Sequence, residues 1–315
     1  MRHPADRPLR ARPPIGTVRR VWEIRSNAAP PSAHADVERV DGGWRLRWST
    51  CAVMGIVNVT PDSFSDGGEH PTPATAIAHG LRLVADGATF VDVGGESTRP
   101  GAEAVPVDVE LGRVLPVIEA LVADGRAIVS VDTRKPDVAA AALAAGAHLV
   151  NDVGGLREPD LVALCASRGV PVIAMHMRGD PTDMQHDPRY DDVVAEVAAW
   201  MRDRRDLAAA AGIPSVVLDP GIGFGKTPEH NVALLRALPL VTPDPVLVGA
   251  SRKRTVQLLG GLDGPRGSDP ASVAAHLFAA QRGVAIVRVH DVAAHRQALA
   301  VDRALRDGPT QERRL

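Results

Sequence analysis

Short apolar segments recur along the chain, and each of them is followed at once by polar residues. The segments are apolar at successive positions rather than at alternate ones, which is typical of parallel strands buried on both faces. Several are preceded by an alanine-rich stretch that ends in a glycine, where a helix can end in a left-handed residue without a steric penalty. These glycines are Gly87, Gly125, Gly146, Gly169, Gly212 and Gly283. The pattern predicts eight buried strands, at residues 53–57, 90–93, 127–131, 148–150, 172–175, 216–218, 246–248 and 285–289.

Eight strands that alternate with helices over about 250 residues predict an α/β fold, a (β/α)8 TIM barrel with right-handed crossovers between parallel neighbours. A doubly wound open sheet is the alternative, because the number of strands does not show whether the sheet closes. In both folds, ligands bind at the carboxyl ends of the strands.

The residues before the first predicted strand follow a different pattern. Residues 37–50 alternate between apolar and polar about the turn Asp41-Gly42-Gly43, which predicts a β-hairpin. We expect this hairpin to cap the bottom of the barrel, with Trp44 and Trp48 packed inward. Residues 1–35 begin with an Arg- and Pro-rich stretch without the apolar core of a secretory signal, so we expect a disordered leader there, with a misassigned start as the alternative. The barrel is predicted over residues 51–308, with a short tail at 309–315.

Composition narrows the class of protein. With 45% hydrophobic residues and a net charge of -2, the chain can bury a sizeable core and has no generic nucleic-acid surface. No apolar stretch approaches the ~20 residues of a membrane span, so neither nucleic acid nor membrane is expected as a partner. Cys51 and Cys165 lack CxxC spacing and are interpreted as small core residues, which suits a reducing cytoplasm.

Polar side chains end three of the predicted strands, where a barrel presents its active site. These residues are Asp132, Asn151 and Asp219. Two carboxylates and an amide can bind a donor-rich heterocycle, such as a 2-amino-4-oxo pyrimidine ring. Capping of the following helices is an alternative role for Asp132 and Asn151, and the two roles do not exclude each other.

The last two strands predict an anion site, because the loops after them often bind phosphate in barrels. Arg288 and His290 lie two residues apart on the same side of the last strand, and Ser251 and Lys253 follow the preceding one. The glycine-rich segment 219–227 is one residue short of the G-x-x-x-x-G-K-[ST] spacing, which argues against an NTPase.

Two of the predicted strand-to-helix loops are unusually long, at residues 58–73 and 94–105. Such connections typically have about 2 to 6 residues, and longer ones can close over a ligand. Arg99 in the second loop could bind a carboxylate or a phosphate through two hydrogen bonds.

Seven motifs occur in order between residue 51 and the C-terminal helix: Asn58-Val-Thr-Pro-Asp-Ser-Phe-Ser-Asp-Gly-Gly, Gly95-Glu-Ser-Thr-Arg-Pro-Gly, Val131-Asp-Thr, Asn151-Asp, Asp219-Pro-Gly-Ile-Gly-Phe-Gly-Lys-Thr, Gly249-Ala-Ser-Arg-Lys and Arg288-Val-His-Asp. Together they resemble the dihydropteroate synthase family. The resemblance implies a transferase of folate biosynthesis that joins 6-hydroxymethyl-7,8-dihydropterin diphosphate to 4-aminobenzoate, giving 7,8-dihydropteroate and diphosphate.

The resemblance also implies roles for individual residues. The pterin would be held by Asp132, Asn151, Asp219 and Lys253, with Met175 and Phe224 along its faces. The diphosphate would be held by Asn58, Arg288 and His290, and Asn58 would also help to place Mg2+. The aminobenzoate site would include Phe64, Thr98, Arg99, Pro100 and Ser251, where sulfonamides would compete. Asp132, Lys253 and Arg99 are the expected catalytic residues, and the family suggests a homodimer.

We expect an SN1-like displacement, in which Asp132 offsets the cation that develops as diphosphate leaves, because no activated Ser or Cys nucleophile is apparent. Two alternatives remain open at this point. A methyltetrahydrofolate-dependent methyltransferase domain would share the barrel but would not be expected to keep the Ser-Thr-Arg-Pro loop or the diphosphate residues. A non-catalytic pterin-binding paralogue would be expected to lose Asn58, Arg99, Lys253 or His290, all of which are present.

Overall fold

The computed structural model describes residues 20–60, 72–98, 101–241, 243–265 and 267–307. Within these ranges the strands are β1 (Trp22–Ser26), β2 (Val37–Val40), β3 (Gly43–Trp48), β4 (Ala52–Asn58), β5 (Phe90–Gly94), β6 (Ile128–Asp132), β7 (Leu149–Asp152), β8 (Val172–Met175), β9 (Val216–Asp219), β10 (Leu247–Val248) and β11 (Ile286–Val289). The helices are α1 (Pro73–Ala85), α2 (Val107–Asp124), α3 (Pro136–Ala144), α4 (Pro159–Arg168), α5 (Val193–Ala211), α6 (Pro228–Ala237), α7 (Arg254–Leu259), α8 (Asp269–Gln281) and α9 (Val292–Asp307).

Strands β4 to β11 form one parallel sheet in the order β10-β11-β4-β5-β6-β7-β8-β9. The two ends of this sheet meet, because Leu218 in β9 forms a parallel bridge with Val246, next to β10. The backbone N–H of Leu218 also donates to the carbonyl oxygen of Pro245 over 3.0 Å. The sheet therefore closes into the predicted barrel, and the open-sheet alternative is wrong.

All eight predicted strands are present, and most of their ends differ by one or two residues. The difference matters at the carboxyl ends, because Asp132, Asp152 and Asp219 are the last residues of their strands rather than the first residues of loops. A side chain on the strand itself is held more rigidly than one on the following loop. The six helix-ending glycines all have positive φ, with values of 94°, 72°, 98°, 60°, 84° and 87° in chain order, as predicted.

The two faces of the barrel strands belong to two separate apolar clusters. One face packs against the surrounding helices, as for Val91, Val129 and Val150. The other face fills the bottom of the barrel and comprises Met54, Phe90, Ile128, Leu149, Ile173, Val217, Leu247 and Ile286. The bottom of the barrel is therefore a packed apolar floor, and any ligand must bind above it.

The predicted N-terminal hairpin is confirmed, with β2 and β3 antiparallel and Val40 paired with Gly43. A third strand, β1, pairs with β3 on the other side, so the predicted disordered leader of residues 1–35 extends too far. Trp22 and Ile24 of this strand alternate with polar residues and are buried in the floor cluster. The strand was not predicted because the segment that contains it is mostly polar. Residues 1–19 and the predicted tail 309–315 lie outside the described residues.

The small sheet closes the bottom of the barrel. Trp44 is fully buried in the floor cluster together with Phe90 and Leu149. Trp48 packs against the same cluster and donates its indole N–H to the carbonyl oxygen of Ala285 over 3.0 Å. Inward packing of both tryptophans is thus confirmed, and the hairpin has a structural role.

Both cysteines are free thiols, as expected from their spacing. Cys165 is fully buried in the core, and Cys51 is partly buried. Among the described residues, none of the helices has the length and apolar character needed to cross a bilayer.

His148, beside Trp44 at the bottom of the barrel, should make stability depend on pH. Its Nδ1 accepts the N–H of Val129 over 3.0 Å, and burial, assisted by the nearby His34, lowers the pKa of His148 to about 4. An unfolded histidine binds a proton below about pH 6.5, so between these values the unfolded chain holds more protons and stability falls as pH falls. At pH 5 this single group should reduce the free energy of unfolding by about 2 kcal/mol.

The variant His148→Gln retains an acceptor for Val129 but does not titrate. Between pH 7.5 and pH 5 it should therefore lose about 2 kcal/mol less of its unfolding free energy than the unmodified protein. Urea denaturation at the two pH values measures both quantities. Parallel pH profiles for the two proteins would contradict a neutral buried His148.

Candidate active site

Five polar residues and one methionine lie directly above the apolar floor, two positions further along the same strands. Because side chains of a strand alternate between its faces, these residues point into the barrel like the floor residues that precede them. They are Asp92, Ser130, Asn151, Met175, Asp219 and Arg288. We call this set the polar layer. The next inward position is Asn58 at the end of β4, Asp132 at the end of β6, and His290 directly after β11. We call these three residues the rim.

An ion network joins the polar layer to the rim. The guanidinium of Arg288 donates from Nε to Oδ2 of Asp92 over 2.6 Å and from Nη2 to Oδ2 of Asp132 over 2.7 Å. The same Oδ2 of Asp92 accepts a hydrogen bond from Nδ2 of Asn151 over 2.8 Å. Asp92 is fully buried, and Asn151 is nearly so. One buried cation is therefore shared between two carboxylates.

This arrangement perturbs Asp132 most clearly. Burial raises the pKa of Asp132 to about 7, the charge of Arg288 opposes that rise, and the negative charge of Asp92 adds to it. The positive charge of Arg288 does not fully offset the effect of burial on this pKa, because Arg288 is shared with Asp92. Asp132 can thus change its protonation state near neutral pH, which is common for groups at active sites.

A second charged pair lies across the barrel. Burial lowers the pKa of Lys253 to about 8, and the carboxylate of Asp219 opposes this shift. Burial also raises the pKa of Asp219, opposed by Lys253. The ammonium of Lys253 lies 4.3 Å from the centre of the Phe224 ring and donates to the carbonyl oxygen of Ile222 over 2.5 Å. A cation, an acceptor and an aromatic face therefore converge above the floor.

An apolar patch borders this pair. Met175 at the end of β8 packs with Val153, Met177 and Met184, and Phe224 packs against them. Flat aromatic ligands are bound by such flexible apolar side chains together with a few polar groups. Met175 and Phe224 thus lie next to the groups that can read the edge of a heterocycle.

The glycine-rich segment after β9 is held in shape by Lys226. Its buried ammonium donates to the carbonyl oxygens of Gly221 and Phe224 over 3.0 and 2.9 Å and to Nδ1 of His176 over 2.8 Å. Gly221 has a φ of 66°, and a Cβ there would lie 1.8 Å from the carbonyl oxygen of His176. Lys226 is therefore a structural cation of this loop, which agrees with the prediction that the segment is not a phosphate-binding P-loop.

Ser251 and His290 meet where the last two strands end. Their side chains are 2.9 Å apart between Oγ and Nδ1, and the backbone N–H of His290 donates to the same Oγ over 3.2 Å. The family resemblance predicts that Ser251 contacts 4-aminobenzoate and that His290 contacts the diphosphate. The structure brings both side chains into direct contact.

Asn58 ends β4 in a continuous row of register partners that runs through Gly94 and Asp132 to Asn151. Gly94 leaves room in this row, because a Cβ there would lie 3.4 Å from Cβ of Asp132. Within the described ranges, no group of three or more His, Cys, Asp or Glu side chains could hold a metal ion. A single amide oxygen suits Mg2+ that is bound mainly through phosphate oxygens, the usual way in which proteins hold this ion.

The second long loop is closed at its base by a buried ion cluster. Nζ of Lys135 donates to Glu96 over 2.7 Å, to Glu110 over 2.6 Å and to the carbonyl oxygen of Val105 over 2.6 Å. Glu96 also accepts the N–H of Val105 over 2.9 Å. The two ends of the loop are thus tied together, which positions the segment that carries Thr98.

Comparison with known proteins places the chain in a family. The model of the family described as pterin binding enzyme matches residues 54–290. Dihydropteroate synthase of Mycobacterium leprae is 49% identical over 273 residues, which is 83% of this chain and 96% of that protein. The Escherichia coli K12 enzyme is 46% identical over 254 residues, 79% and 90% of the two chains. This chain belongs to the dihydropteroate synthase family.

Solved structures of the family have the same fold. Dihydropteroate synthase of Xanthomonas albilineans with 4-aminobenzoic acid is 53% identical, with a TM-score of 0.79 over 84% of this chain and 96% of that one. The Thermus thermophilus enzyme in complex with 6HMPPP is 44% identical, with a TM-score of 0.75 over 90% and 99% of the two chains. The Yersinia pestis enzyme, 43% identical, with a TM-score of 0.79 over 86% and 99% of the two chains, was solved with a sulfonamide drug.

The structure brings most of the site residues suggested by the family motifs to one end of the barrel. They are Asn58, Asp132, Asn151, Met175, Asp219, Phe224, Ser251, Lys253, Arg288 and His290. Thr98 is partly buried and is the last described residue before Arg99. Phe64, Arg99 and Pro100 lie outside the described residues, so their predicted roles stay predictions.

Sequence reasoning missed Asp92, the most deeply buried acid of the site. The predicted site residues lie where strands end, whereas Asp92 lies in the middle of β5. A signal was present, because a carboxylate within the apolar run Phe-Val-Asp-Val requires a buried partner. Arg288, 196 residues away, is that partner.

Proposed function

We propose that this protein is a dihydropteroate synthase, which joins 6-hydroxymethyl-7,8-dihydropterin diphosphate to 4-aminobenzoate and releases diphosphate. The observation that carries the proposal is the contact of Asp132 with Arg288 at the centre of the barrel mouth. The carboxylate of Asp132 can offset the positive charge that develops on the pterin, and the adjacent guanidinium of Arg288 can offset the negative charge on the departing diphosphate. We further propose that the protein works in the cytoplasm as a homodimer.

The pterin ring is bound by four polar residues and two apolar side chains at the mouth of the barrel. Asp132, Asn151 and Asp219 supply acceptors for its ring N–H groups and exocyclic amine, and Lys253 supplies a donor for its carbonyl oxygen. Met175 and Phe224 cover the faces of the ring. These acceptors and this donor match the hydrogen-bond pattern of a 2-amino-4-oxo pteridine, which supports the proposed pterin site.

The diphosphate is bound by Asn58, Arg288 and His290. The guanidinium of Arg288 already has an acid on each side, and its charge is fixed at all relevant pH values. Asn58 would hold Mg2+ through its amide oxygen, and the ion would neutralise charge on the departing diphosphate when bound. Ser251 and His290 support each other through their hydrogen bond.

The reaction begins with heterolysis of the bond between the methylene carbon and the diphosphate oxygen, and both electrons leave with the diphosphate. The carboxylate of Asp132 offsets the positive charge that spreads over the pterin, while Arg288 stabilises the leaving group. The amine nitrogen of 4-aminobenzoate then bonds to the methylene carbon and loses a proton. This dissociative route needs no covalent enzyme intermediate.

The aminobenzoate site is formed by the two long loops and the end of β10. Phe64, Thr98, Arg99, Pro100 and Ser251 are its proposed residues, and Arg99 binds the carboxylate. Lys135 fixes the base of the second loop and so positions Thr98. Sulfonamides, which resemble 4-aminobenzoate, should compete for the same site.

The test is product formation by the purified protein with dihydropterin diphosphate and Mg2+. We expect 7,8-dihydropteroate and one equivalent of diphosphate only when 4-aminobenzoate is present, and loss of both products in Asp132→Ala. A sulfonamide should inhibit competitively against 4-aminobenzoate. Tight binding of the pterin without formation of dihydropteroate would contradict the proposed activity.

A further inference from the structure

Asp92 uses one of its two carboxylate oxygens to hold two other site residues. Its Oδ2 accepts from Nε of Arg288 over 2.6 Å and from Nδ2 of Asn151 over 2.8 Å. The other oxygen, Oδ1, has no hydrogen-bond partner within the described part of the chain. The side chain is completely buried at the bottom of the ligand space, one layer below Asp132.

The contact with Asp92 decides which way the amide of Asn151 faces. An ionised carboxylate only accepts hydrogen bonds, so it must meet the NH2 group of the amide rather than its carbonyl oxygen. The two orientations of an amide have almost the same shape, and hydrogen-bond partners select between them. With its NH2 group held by Asp92, Asn151 has its carbonyl oxygen left as an acceptor for a donor on the ligand.

The contact with Asp92 also fixes the plane of the Arg288 guanidinium. Nε is held by Asp92 while Nη2 donates to Asp132, so the rigid fork spans the two carboxylates. Because one oxygen atom holds both Arg288 and Asn151, a displacement of Asp92 would change both ends of the site together.

Stability alone does not account for a carboxylate at this position. Burial of a charged group is unfavourable unless its hydrogen bonds are complete, and here one oxygen lacks a partner. Well-packed apolar residues in place of the whole network of Asp92, Asn151 and Arg288 would continue the floor of the barrel with no such penalty. Asp92 therefore requires an explanation in terms of the ligand.

We propose that Asp92 is the positioning residue of the pterin site, which orients the Asn151 amide as an acceptor and holds Arg288 in line with Asp132. This inference rests on the proposed function, because it takes a pterin as the ligand. In this role Asp92 acts through Asn151 and Arg288 on both the affinity for the ring and the placement of the diphosphate.

The test is a double-mutant cycle with 6-hydroxymethylpterin as the probe and calorimetry as the measurement. In Asp92→Asn we expect the Kd of this probe to rise about tenfold or more, as for loss of a charge-assisted hydrogen bond. In the Asn151→Ala background the same substitution should change the Kd by less than about threefold, because the group that Asp92 orients is gone. A purely structural role would instead give additive effects.

Ser130→Ala is the matched control. Ser130 lies next to Asp92 in register on β6, is equally buried, and its Oγ has no partner among the described residues. We expect the Kd of Ser130→Ala for 6-hydroxymethylpterin to stay within about threefold of the Kd of the unmodified protein. Asp92→Glu separates loss of positioning from loss of folding. It keeps a negative charge beside Arg288 but displaces the carboxylate from Asn151. We expect it to weaken pterin binding while thermal unfolding stays cooperative.

The proposal is overturned if Asp92→Asn and Asp92→Glu bind the probe as Ser130→Ala does, or if the cycle is additive. The outcome is separable from that of the proposed function. Dihydropteroate formation by the unmodified protein tests the reaction, whereas the cycle needs only pterin binding. A protein that binds 6-hydroxymethylpterin without making dihydropteroate would refute the synthase activity and leave the role of Asp92 measurable.

Discussion

Asp132→Asn is expected to lower kcat by about 10²–10³-fold, the range for removal of one preorganised electrostatic group. The substitution keeps the size and the hydrogen-bonding shape of the side chain but removes the charge that offsets the pterin cation. It also leaves Arg288 with Asp92 as its remaining carboxylate partner in the network. Steady-state kinetics with both substrates measure the change, and unfolding experiments check that the variant is folded.

The pH profile of kcat/KM should identify the active form of Asp132. Because the pKa of Asp132 is raised to about 7, the carboxylate becomes populated as the pH rises through this value. Activity that requires the carboxylate should therefore be half-maximal near pH 7 and level off above about pH 8. In Asp132→Asn this limb should be absent from the residual activity.

Asp152→Asn is the matched control for both measurements. Asp152 also ends a barrel strand and is also buried, but its oxygens accept the backbone N–H groups of Gly154 and Leu156 over 2.7 and 2.6 Å. Its substitution should weaken this turn and keep the pH limb, with at most a small shift to lower pH, because the charge of Asp152 contributes least to the raised pKa of Asp132. Retention of normal kcat and of the limb in Asp132→Asn would refute the proposed role of the carboxylate.

Arg288→Met is expected to lower the free energy of unfolding by about 3–5 kcal/mol, as for removal of one partner from a buried ion pair. Methionine fills much of the volume of the arginine stem, so the main effect is that Asp92 and Asp132 lose their shared cation. Uptake of a proton by Asp132 can relieve part of the repulsion, which should make the variant relatively more stable at lower pH. Urea denaturation at pH 6 and pH 8 measures both effects.

Arg126→Met is the control for loss of an arginine. Arg126 is exposed and pairs with Asp124 on the surface, where ion pairs contribute little, so its unfolding should match that of the unmodified protein. Addition of Asp92→Asn to Arg288→Met should restore stability, because it removes one of the two stranded carboxylates. Equal stability of Arg288→Met and Arg126→Met would contradict a network held by the Arg288 charge.

Local patterns predicted the barrel because its strands are apolar on both faces and its helices end in glycines. They also predicted that Asp132, Asn151 and Asp219 converge, since parallel strands bring their carboxyl ends to one edge. They missed β1, because only two of its three buried residues, Trp22 and Ile24, are apolar, and the segment around them is polar. They missed Asp92 because a search of strand ends does not examine strand interiors.

The sequence by itself determined which residues stand at the mouth of the barrel, because that depends on strand order and on the alternation of side chains. Only the tertiary structure decided how these residues pair. Arg288 lies between Asp92 and Asp132, which are 196 and 156 positions away, and Ser251 meets His290 across 39. The barrel closes through Leu218 and Val246, where no periodic pattern marks a partner. Hydrogen bonds and charge sharing depend on distances of a few ångströms, which follow from closure of the whole barrel and not from local sequence.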